Sequence, residues 1–250
     1  MIGLRNVHKR FGSHVVLDGV DFTVDDGETV ALLGPSGSGK SVILKHIIGL
    51  LKPDRGEVLV DGQRVPHLER AELARLRRRI GYAFQTGALF DSSSVFENIR
   101  LGIADDASYR DLEFCRARVA ECLRLVNLPQ DAGRLMPAQL SGGMRKRVGI
   151  ARAIAGEPKY LLYDEPNSGL DPVNADVMDA LIESLQHELK VTTVLVSHDV
   201  RGSFKVADRI ALLHQGRIRA VGRPDELMAE KDEVVRGFLE RDFAVAELEE

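Results

Sequence analysis

The stretch "LLGPSGSGKSVILKHIIGL", residues 32–50, decides how this chain is interpreted. Its central part, "GPSGSGKS" at residues 34–41, fits the pattern G-x-x-x-x-G-K-[ST], with an apolar run before it and apolar residues at helical spacing after it. Glycines let the backbone turn its N–H groups toward an anion, and the N-terminus of the following helix adds a positive end. The stretch therefore predicts a phosphate-binding loop between a strand and a helix, with the helix running from about residue 40 to residue 50.

The residue types in this loop indicate a nucleoside triphosphate bound together with Mg²⁺. We expect Lys40 to reach the β- and γ-phosphates and the hydroxyl of Ser41 to bind the metal ion. The alternative is a glycine-rich turn without a ligand, which the flanking strand and helix make the weaker interpretation. The predicted nucleotide-binding residues of the loop are Gly34, Pro35, Ser36, Gly37, Ser38, Gly39, Lys40, Ser41 and Val42.

Outside the loop, the hydrophobic pattern predicts an α/β fold. The segments 2–11 and 19–34 alternate apolar and polar residues, as strands do, whereas helical spacing prevails from about residue 86 to 157. Because apolar strands then alternate with helices, we expect a parallel sheet covered on both faces, with the helical block inserted into it. The later strands are predicted at 160–164, 192–197 and 209–214.

A second chemical signal is the pair of carboxylates in "KYLLYDEPNSGLDP", residues 159–172. Asp164 and Glu165 end an apolar strand, and ligands of parallel sheets bind beyond the carboxyl ends of the strands. Asp164 is expected to hold Mg²⁺, and Glu165 is expected to activate a water molecule as general base. The alternative is that the two carboxylates only mark a turn after the strand. The presence of a phosphate loop in the same chain makes this alternative the weaker one.

A third signal, "LSGGMRKRVGIARAIAGEP" at residues 140–158, predicts a long basic helix capped by Ser141. Together with Gly142 and Gly143 it forms another helix N-terminus suited to phosphate. Capping chemistry alone favours the plainer interpretation of an ordinary capped helix with a solvated basic face.

These motifs together resemble the ABC-type ATPases. The order "GPSGSGKS", Gln85 in "YAFQ", "LSGG", "LLYDE", "SGLD" at 168–171 and His198 in "LVSHD" is similar to the motif order of that family, over residues 1–222. The resemblance implies a P-loop NTPase fold with a RecA-like parallel sheet, an N-terminal antiparallel β subdomain and an inserted α-helical subdomain. It also implies an ATPase that uses ATP and Mg²⁺.

The resemblance further implies domain boundaries. The ATP-binding domain would cover residues 1–222, divided into a core, 1–85 and 158–222, and a helical insert, 86–157. Residues 223–250 would form a helical tail.

For the site residues, the resemblance implies a pair of chains arranged head to tail. Ser141, Gly142 and Gly143 of one copy would close over the γ-phosphate held by the phosphate loop of the other. Met144 departs from the glutamine common at the next position, while the three phosphate-facing residues are intact. The remaining roles would be adenine stacking for Phe11, metal binding for Gln85 beside Ser41 and Asp164, and catalysis for Glu165, His198 and Lys40.

Within the family, three stretches are similar to the Mla/Mce-type lipid-trafficking ATPases of bacteria: "FQTGALFDSSSVFENI" (84–99), "LSGGMRKRVGIARAI" (140–154) and "LLYDEPNSGLDP" (161–172). Asn167 departs from the threonine expected there. This resemblance implies a membrane permease of the Mla type, docked near residues 85–99, an Mce-domain lipid-binding partner and a STAS-domain regulator. The alternatives are a soluble ABC ATPase of cofactor assembly and a transporter subunit for another substrate.

Composition limits the location and the partners of the chain. The net charge of −4 argues against nucleic acid as a partner, and no apolar stretch reaches the ~18 residues of a membrane span. The beginning of the chain lacks the long apolar run of a signal peptide. Composition therefore predicts a cytosolic protein in a reducing compartment. The resemblance to transporter ATPases implies that it lies at the cytoplasmic face of the inner membrane as a peripheral protein. Cys115 and Cys122, seven residues apart, are expected on one face of a helix rather than at a metal site.

Overall fold

The computed structural model describes the backbone of residues 1–246 and the side-chain surroundings of residues 1–240. The strands are β1 (Ile2–Phe11), β2 (His14–Val24), β3 (Thr29–Leu33), β4 (Arg55–Val60), β5 (Gln63–Arg64), β6 (Ile80–Ala83), β7 (Tyr160–Asp164), β8 (Thr192–Ser197), β9 (Arg209–His214) and β10 (Arg217–Gly222). The helices are α1 (Lys40–Ile47), α2 (Arg70–Arg78), α3 (Val95–Arg100), α4 (Asp106–Arg110), α5 (Leu112–Leu125), α6 (Gly142–Ile154), α7 (Pro172–Leu189), α8 (Val200–Val206), α9 (Pro224–Met228) and α10 (Glu233–Ala246).

The chain folds as two compact units. The first consists of Met1–Leu73 together with the chain from Thr192 onward, and the second of Ala74–Val191. Each unit contains paired strands and buried apolar side chains.

In the first unit, one sheet is antiparallel, in the order β2-β1-β4-β5, and the other contains β10-β9-β3-β8. Strand β3 runs parallel to both β8 and β9, and every residue of β3 is buried. A parallel strand covered on both faces is apolar throughout, which is why "TVALL" shows no alternation. The carboxyl end of β3 leads directly into the glycine-rich loop and α1.

In the second unit, β6 and β7 pair in parallel, with Ile80 opposite Tyr160. Helix α6 packs against β6, α3 and α5. The approach to β6 is close, since a Cβ atom added at Gly81 would lie 2.3 Å from the carbonyl oxygen of Ala153. Cys115 and Cys122 are both buried free thiols in α5, as their spacing predicted.

The predicted α/β fold class is confirmed, and the structure adds details that the pattern did not give. The predicted helix 40–50 ends at Ile47, because Gly49 at φ 65° turns the chain and the N–H of Leu50 donates to the carbonyl of Lys45 at 2.8 Å. The proposed division into core, insert and tail remains a prediction. Its tail contains α9 and α10, and residues 247–250 lie outside the described part of the chain.

Candidate functional site

The loop between β3 and α1 follows a path that its glycines permit. Gly37 and Gly39 have φ values of 78° and 105°, in the left-handed region that favours glycine. A Cβ atom added at Gly34 would lie 2.2 Å from the carbonyl oxygen of Leu213, a separation that no side chain tolerates. The sequence pattern therefore corresponds to positions where this fold requires glycine.

Two polar side chains of the loop are placed to bind an anion. Lys40 is only 5% exposed, and its Nζ donates to the carbonyl oxygens of Gly34 at 2.7 Å and Pro35 at 3.2 Å. The Oγ of Ser38 is buried and has no hydrogen-bond partner within the described residues. A buried hydroxyl without a partner is costly. A phosphate oxygen in the loop would satisfy the hydroxyl, so the residues fit a bound nucleotide.

The register of the sheet places His198 beside this loop. Leu33, the last residue of β3, pairs with Ser197, the last residue of β8. Gly34 and His198 therefore leave the same edge of the sheet from neighbouring parallel strands. The side chain of His198 is exposed, which leaves it accessible to a ligand at this edge.

Phe11 ends β1 and is 48% exposed, with the Nζ of Lys9 5.5 Å from its ring centroid. An aromatic ring this open to solvent is available for stacking on a planar ligand. This exposure shows that Phe11 is not a fully packed core residue.

In the second unit, Asp164 and Glu165 follow β7 as predicted. The hydroxyl of Tyr82 donates to Oδ2 of Asp164 at 2.8 Å. Burial, the charge of Asp164 and this hydrogen bond all raise the pKa of Tyr82, so the phenol stays protonated and keeps donating. Glu165 adopts φ 53°, a left-handed conformation that is uncommon outside glycine and concentrates at functional sites.

The loop after Glu165 is fixed by side chains from elsewhere in the second unit. Nε2 of Gln85 donates to Oγ of Ser168 at 3.0 Å. Nζ of Lys146 donates to the carbonyl oxygens of Pro166 at 2.7 Å and Ser168 at 2.6 Å, with a longer contact of 3.4 Å to that of Glu165. Sequence reasoning missed Tyr82 and Lys146, because both bond to residues far along the chain.

Ser141 caps α6 as predicted, with its Oγ accepting from the backbone N–H of Met144 at 3.2 Å. A Cβ atom added at Gly142 would meet nothing within 4 Å, and one at Gly143 would have its nearest neighbours at 3.9 Å. This helix end is exposed at Ser141 and Gly142. The fold of the chain itself does not require either glycine.

Each group of predicted site residues lies within one unit. The first unit carries the phosphate loop, His198 and Phe11, whereas the second carries Gln85, Asp164 and Glu165 as well as the Ser141 helix end. The described residues contain no cluster of three or more His, Cys, Asp or Glu side chains that could hold a metal ion. Mg²⁺ does not need such a cluster, because it binds through one or two protein oxygens together with substrate phosphates.

The family model for ABC transporters matches residues 17–168, more than half of the chain. The chain belongs to the ABC transporter family. Membership confirms the predicted fold class and the predicted ABC-type ATPase that uses ATP with Mg²⁺. Among residues 1–246 we find no helix with the length and apolarity needed to cross a bilayer.

Several curated members of the ABC family are similar to this chain. The intermembrane phospholipid transport system ATP-binding protein MlaF of Escherichia coli K12 is 38% identical, over 96% of this chain and 88% of MlaF. The sulfate/thiosulfate import ATP-binding protein CysA of Bradyrhizobium diazoefficiens is 44% identical over 90% of this chain. This chain spans only 64% of the length of that CysA protein.

Solved ABC structures have the same fold. A dimeric post-hydrolysis state of the ATP-binding cassette MJ0796, bound to ADP and Pi, matches with a TM-score of 0.81 at 34% identity, covering 90% of this chain and 99% of that one. The protein cbiO1 of Clostridium perfringens, part of the ABC transporter complex cbiONQ, matches with a TM-score of 0.82 at 30% identity, over 99% and 97% of the two chains.

Proposed function

We propose that this chain is the ATP-hydrolysing subunit of a bacterial ABC transporter that moves phospholipid through a separate membrane permease. The observation that carries the proposal is the similarity to MlaF, which covers 96% of this chain and 88% of MlaF. The stretches 84–99, 140–154 and 161–172, which resemble Mla/Mce-type ATPases, support the same assignment.

The proposed nucleotide site is built around the phosphate loop. The phosphate loop binds the triphosphate through its backbone N–H groups, Ser38 and Lys40, while Phe11 stacks on the adenine. When bound, Mg²⁺ neutralises charge on the phosphate oxygens, and Ser41, Gln85 and Asp164 would hold it. Tyr82 fixes one carboxylate oxygen of Asp164 and thereby orients the carboxylate.

The proposed chemistry is attack of water on the γ-phosphate. Glu165 orients the water molecule and accepts its proton, while His198 contacts the γ-phosphate and helps to organise the attack. The Nζ of Lys40, now bound to loop carbonyls, would turn to the β- and γ-phosphates and offset their charge.

We propose further that two copies work head to tail, with Ser141, Gly142 and Gly143 of each copy closing over the nucleotide of the other. The open space around Gly142, and the lack of any contact closer than 3.9 Å at Gly143, support this arrangement, because a surface without side chains lets another backbone or a phosphate approach closely. The similar cassette MJ0796 is dimeric in its solved structures. ATP then favours the closed pair only to the extent that it binds the closed pair more tightly than the open one.

The permease is proposed to dock near residues 85–99, at the cytoplasmic face of the inner membrane. Phe84 and Phe90 are 42% and 57% exposed there. The buried amide of Asn98 donates to the carbonyl of Phe90 and accepts from its N–H, so the loop presents Phe90 in one conformation. Not all the apolar side chains of the segment are available, since Val95 is fully buried. Mce-domain and STAS-domain partners follow from the resemblance alone.

Sulfate import is the second candidate function, because CysA of Bradyrhizobium diazoefficiens is 44% identical over 90% of this chain. A soluble ABC ATPase is the remaining alternative. The deciding experiment is affinity purification of the full chain from native membranes, with identification of the bound proteins and lipids. Phe90→Ser, a change on the proposed docking surface, serves as the matched control.

We expect a permease, a lipid-binding partner and phospholipid with the wild-type chain, and much less of each with Phe90→Ser. A sulfate permease in the purified material would favour the second candidate. The absence of any membrane protein would favour the soluble ATPase.

A further inference from the structure

Lys146 is a half-buried cation whose hydrogen-bond partners are backbone carbonyl oxygens. It lies in α6, and within the described residues its Nζ forms no ion pair; its partners are the carbonyl oxygens of Glu165, Pro166 and Ser168. An ammonium group has three hydrogens and accepts nothing, so its donors match the acceptors of this single loop. Burial lowers the pKa of Lys146, and the nearby charge of Glu165 opposes that shift.

The loop that Lys146 binds has an unusual start. Glu165 adopts φ 53°, and the N–H of Ser168 donates back to the carbonyl of Glu165 at 3.2 Å. Such a turn persists only when its surroundings hold it. Lys146 binds the carbonyls on both sides of the turn, and Gln85 binds the side chain of Ser168. The Nζ of Lys146 therefore helps to hold the backbone from which the Glu165 side chain extends.

Lys146 also lies about one helical turn from the exposed end of α6. Ser141 caps this helix, and Gly142 begins it. With 3.6 residues per turn and a continuous ladder of hydrogen bonds, the first turns of a helix move as one body. A displacement of the Ser141 end consequently moves Lys146, and the loop that starts at Glu165 follows.

We propose that Lys146 is a positioning residue for Glu165, which ties the capped end of α6 to the loop carrying the general base of the same chain. The inference rests on the proposed paired function, in which the capped end contacts the nucleotide held by the other copy. Under that arrangement, each copy's Glu165 is oriented by engagement at the neighbouring site, and the two sites hydrolyse ATP cooperatively.

The test uses the full chain and measures steady-state hydrolysis across Mg–ATP concentrations, ADP affinity and thermal unfolding. Lys146→Met keeps the length of the side chain but removes the donors. Lys146→Arg retains charge and donors and covers the case in which Lys146→Met does not fold. Arg145→Met is the matched control: it removes one positive charge from the same helix, and its exposed side chain has no hydrogen bond or ion pair within the described residues.

For Lys146→Met we expect kcat to fall about tenfold, because small misplacements of a catalytic group are costly. The Hill coefficient should fall from near 2, the limit for two sites, toward about 1. ADP affinity should not change, since the phosphate loop is untouched. Lys146→Arg should recover part of the cooperativity, and Arg145→Met should behave as wild type.

A Hill coefficient that stays at the wild-type value in Lys146→Met overturns the proposal, whether or not turnover falls, because a purely structural lysine would lower rate and stability alone. The two proposals fail in different ways. If Glu165→Gln keeps wild-type turnover, the proposed function fails. If Glu165→Gln is inactive while Lys146→Met is unchanged, only the role of Lys146 fails.

Discussion

Two helix N-termini in this molecule are rich in glycine, and they use it differently. At the start of α1, Gly37 and Gly39 have left-handed φ values, and Gly34 leaves no space for a Cβ atom beside the Leu213 carbonyl. At the start of α6, Gly142 has open space around it and Gly143 has only ordinary contacts. The fold of the chain requires the glycines at the start of α1. It does not require those at the start of α6, which we explain by the nucleotide of a second copy that approaches this helix end.

The same contrast extends to the lysines of the two helices. Lys40 binds carbonyls of its own loop, five and six residues away. Lys146 binds carbonyls 19 to 22 residues away. The α1 end is thus a self-contained ligand cradle, whereas the α6 end is connected to a distant part of its unit.

The largest expected effect comes from Glu165→Gln, which blocks ATP hydrolysis. The α1 end of one copy and the α6 end of the other copy should then stay bound to the same ATP molecule. Turnover should fall about thousandfold, within the range for loss of a general base, while ATP binding persists. In this background, Ser38→Cys combined with Ser141→Cys should give cross-linked chains when Mg–ATP is present. Near wild-type turnover, or no cross-link between separate chains, would contradict the assigned roles.

Gly34→Ala should break the α1 end. The new methyl group would meet the Leu213 carbonyl oxygen at 2.2 Å, and overpacking of this kind costs about 3 kcal/mol of unfolding free energy. Gly37→Ala is the control, because its φ is 78° but nothing lies within 4 Å of the added atom. Its cost should be only about 1 kcal/mol. Urea denaturation measures both, and equal losses would refute the argument from the clash.

Gly142→Ala should affect turnover and not lower stability, in contrast to Gly34→Ala. Replacing an open helical glycine by alanine stabilises a chain by up to about 1 kcal/mol, so the unfolding free energy should rise slightly. Turnover should nevertheless fall about 100-fold, because a methyl group would stand where the proposed partner's phosphate approaches.

Gly237→Ala in α10 is the matched control for this change. A Cβ atom there also meets nothing within 4 Å, so stability should rise similarly with no change in turnover. Unchanged turnover in Gly142→Ala would mean that this helix end contacts no partner.

The smallest expected effect concerns His46, fully buried in α1, whose Nδ1 donates to the carbonyl of Val42 at 2.6 Å. Burial lowers the pKa of His46 below its ordinary value of 6.5, and the charge of Lys9 adds to this shift. The hydrogen bond to Val42 and the charge of Asp54 oppose it. Below pH 6.5 the unfolded chain takes up a proton that the folded chain does not. The free energy of unfolding should therefore fall by about 1 kcal/mol per pH unit as the pH drops from 6.5 to the pKa of His46 in the folded chain. Below that pKa it should level off.

His46→Gln should remove this part of the pH dependence of unfolding, whereas His14→Gln at the surface should leave it in place. Equal slopes for wild type and His46→Gln between pH 7.5 and 5.5 would contradict the prediction.

Much of the fold was readable from hydrophobic pattern. The observed bounds of β1, β7, β8 and β9 are those of the predicted segments, because each is a run of apolar or alternating residues between turn residues. Helix α2 was not predicted, since its sequence is dense in charge and Leu76 is its one buried residue. Strand β10 was missed for a related reason, because its residues alternate between exposed and half-buried and only Gly222 is buried.

The motifs named the site residues, but not the contacts that position them. The phosphate loop was readable because its glycines serve local geometry. The bond from Tyr82 to Asp164 depends on the pairing of β6 with β7, and the bonds of Lys146 depend on where α6 packs. Such contacts join residues far apart along the chain, so no local pattern records them.

The two native thiols also have a practical consequence. Cys115 and Cys122 are enclosed in α5, and burial raises the pKa of Cys122 to about 11, so little reactive thiolate forms near neutral pH. Maleimides and mild oxidants should therefore react with neither thiol in the folded protein. Reporter dyes and engineered bridges can therefore be installed in the otherwise unaltered chain, without first building a cysteine-free background.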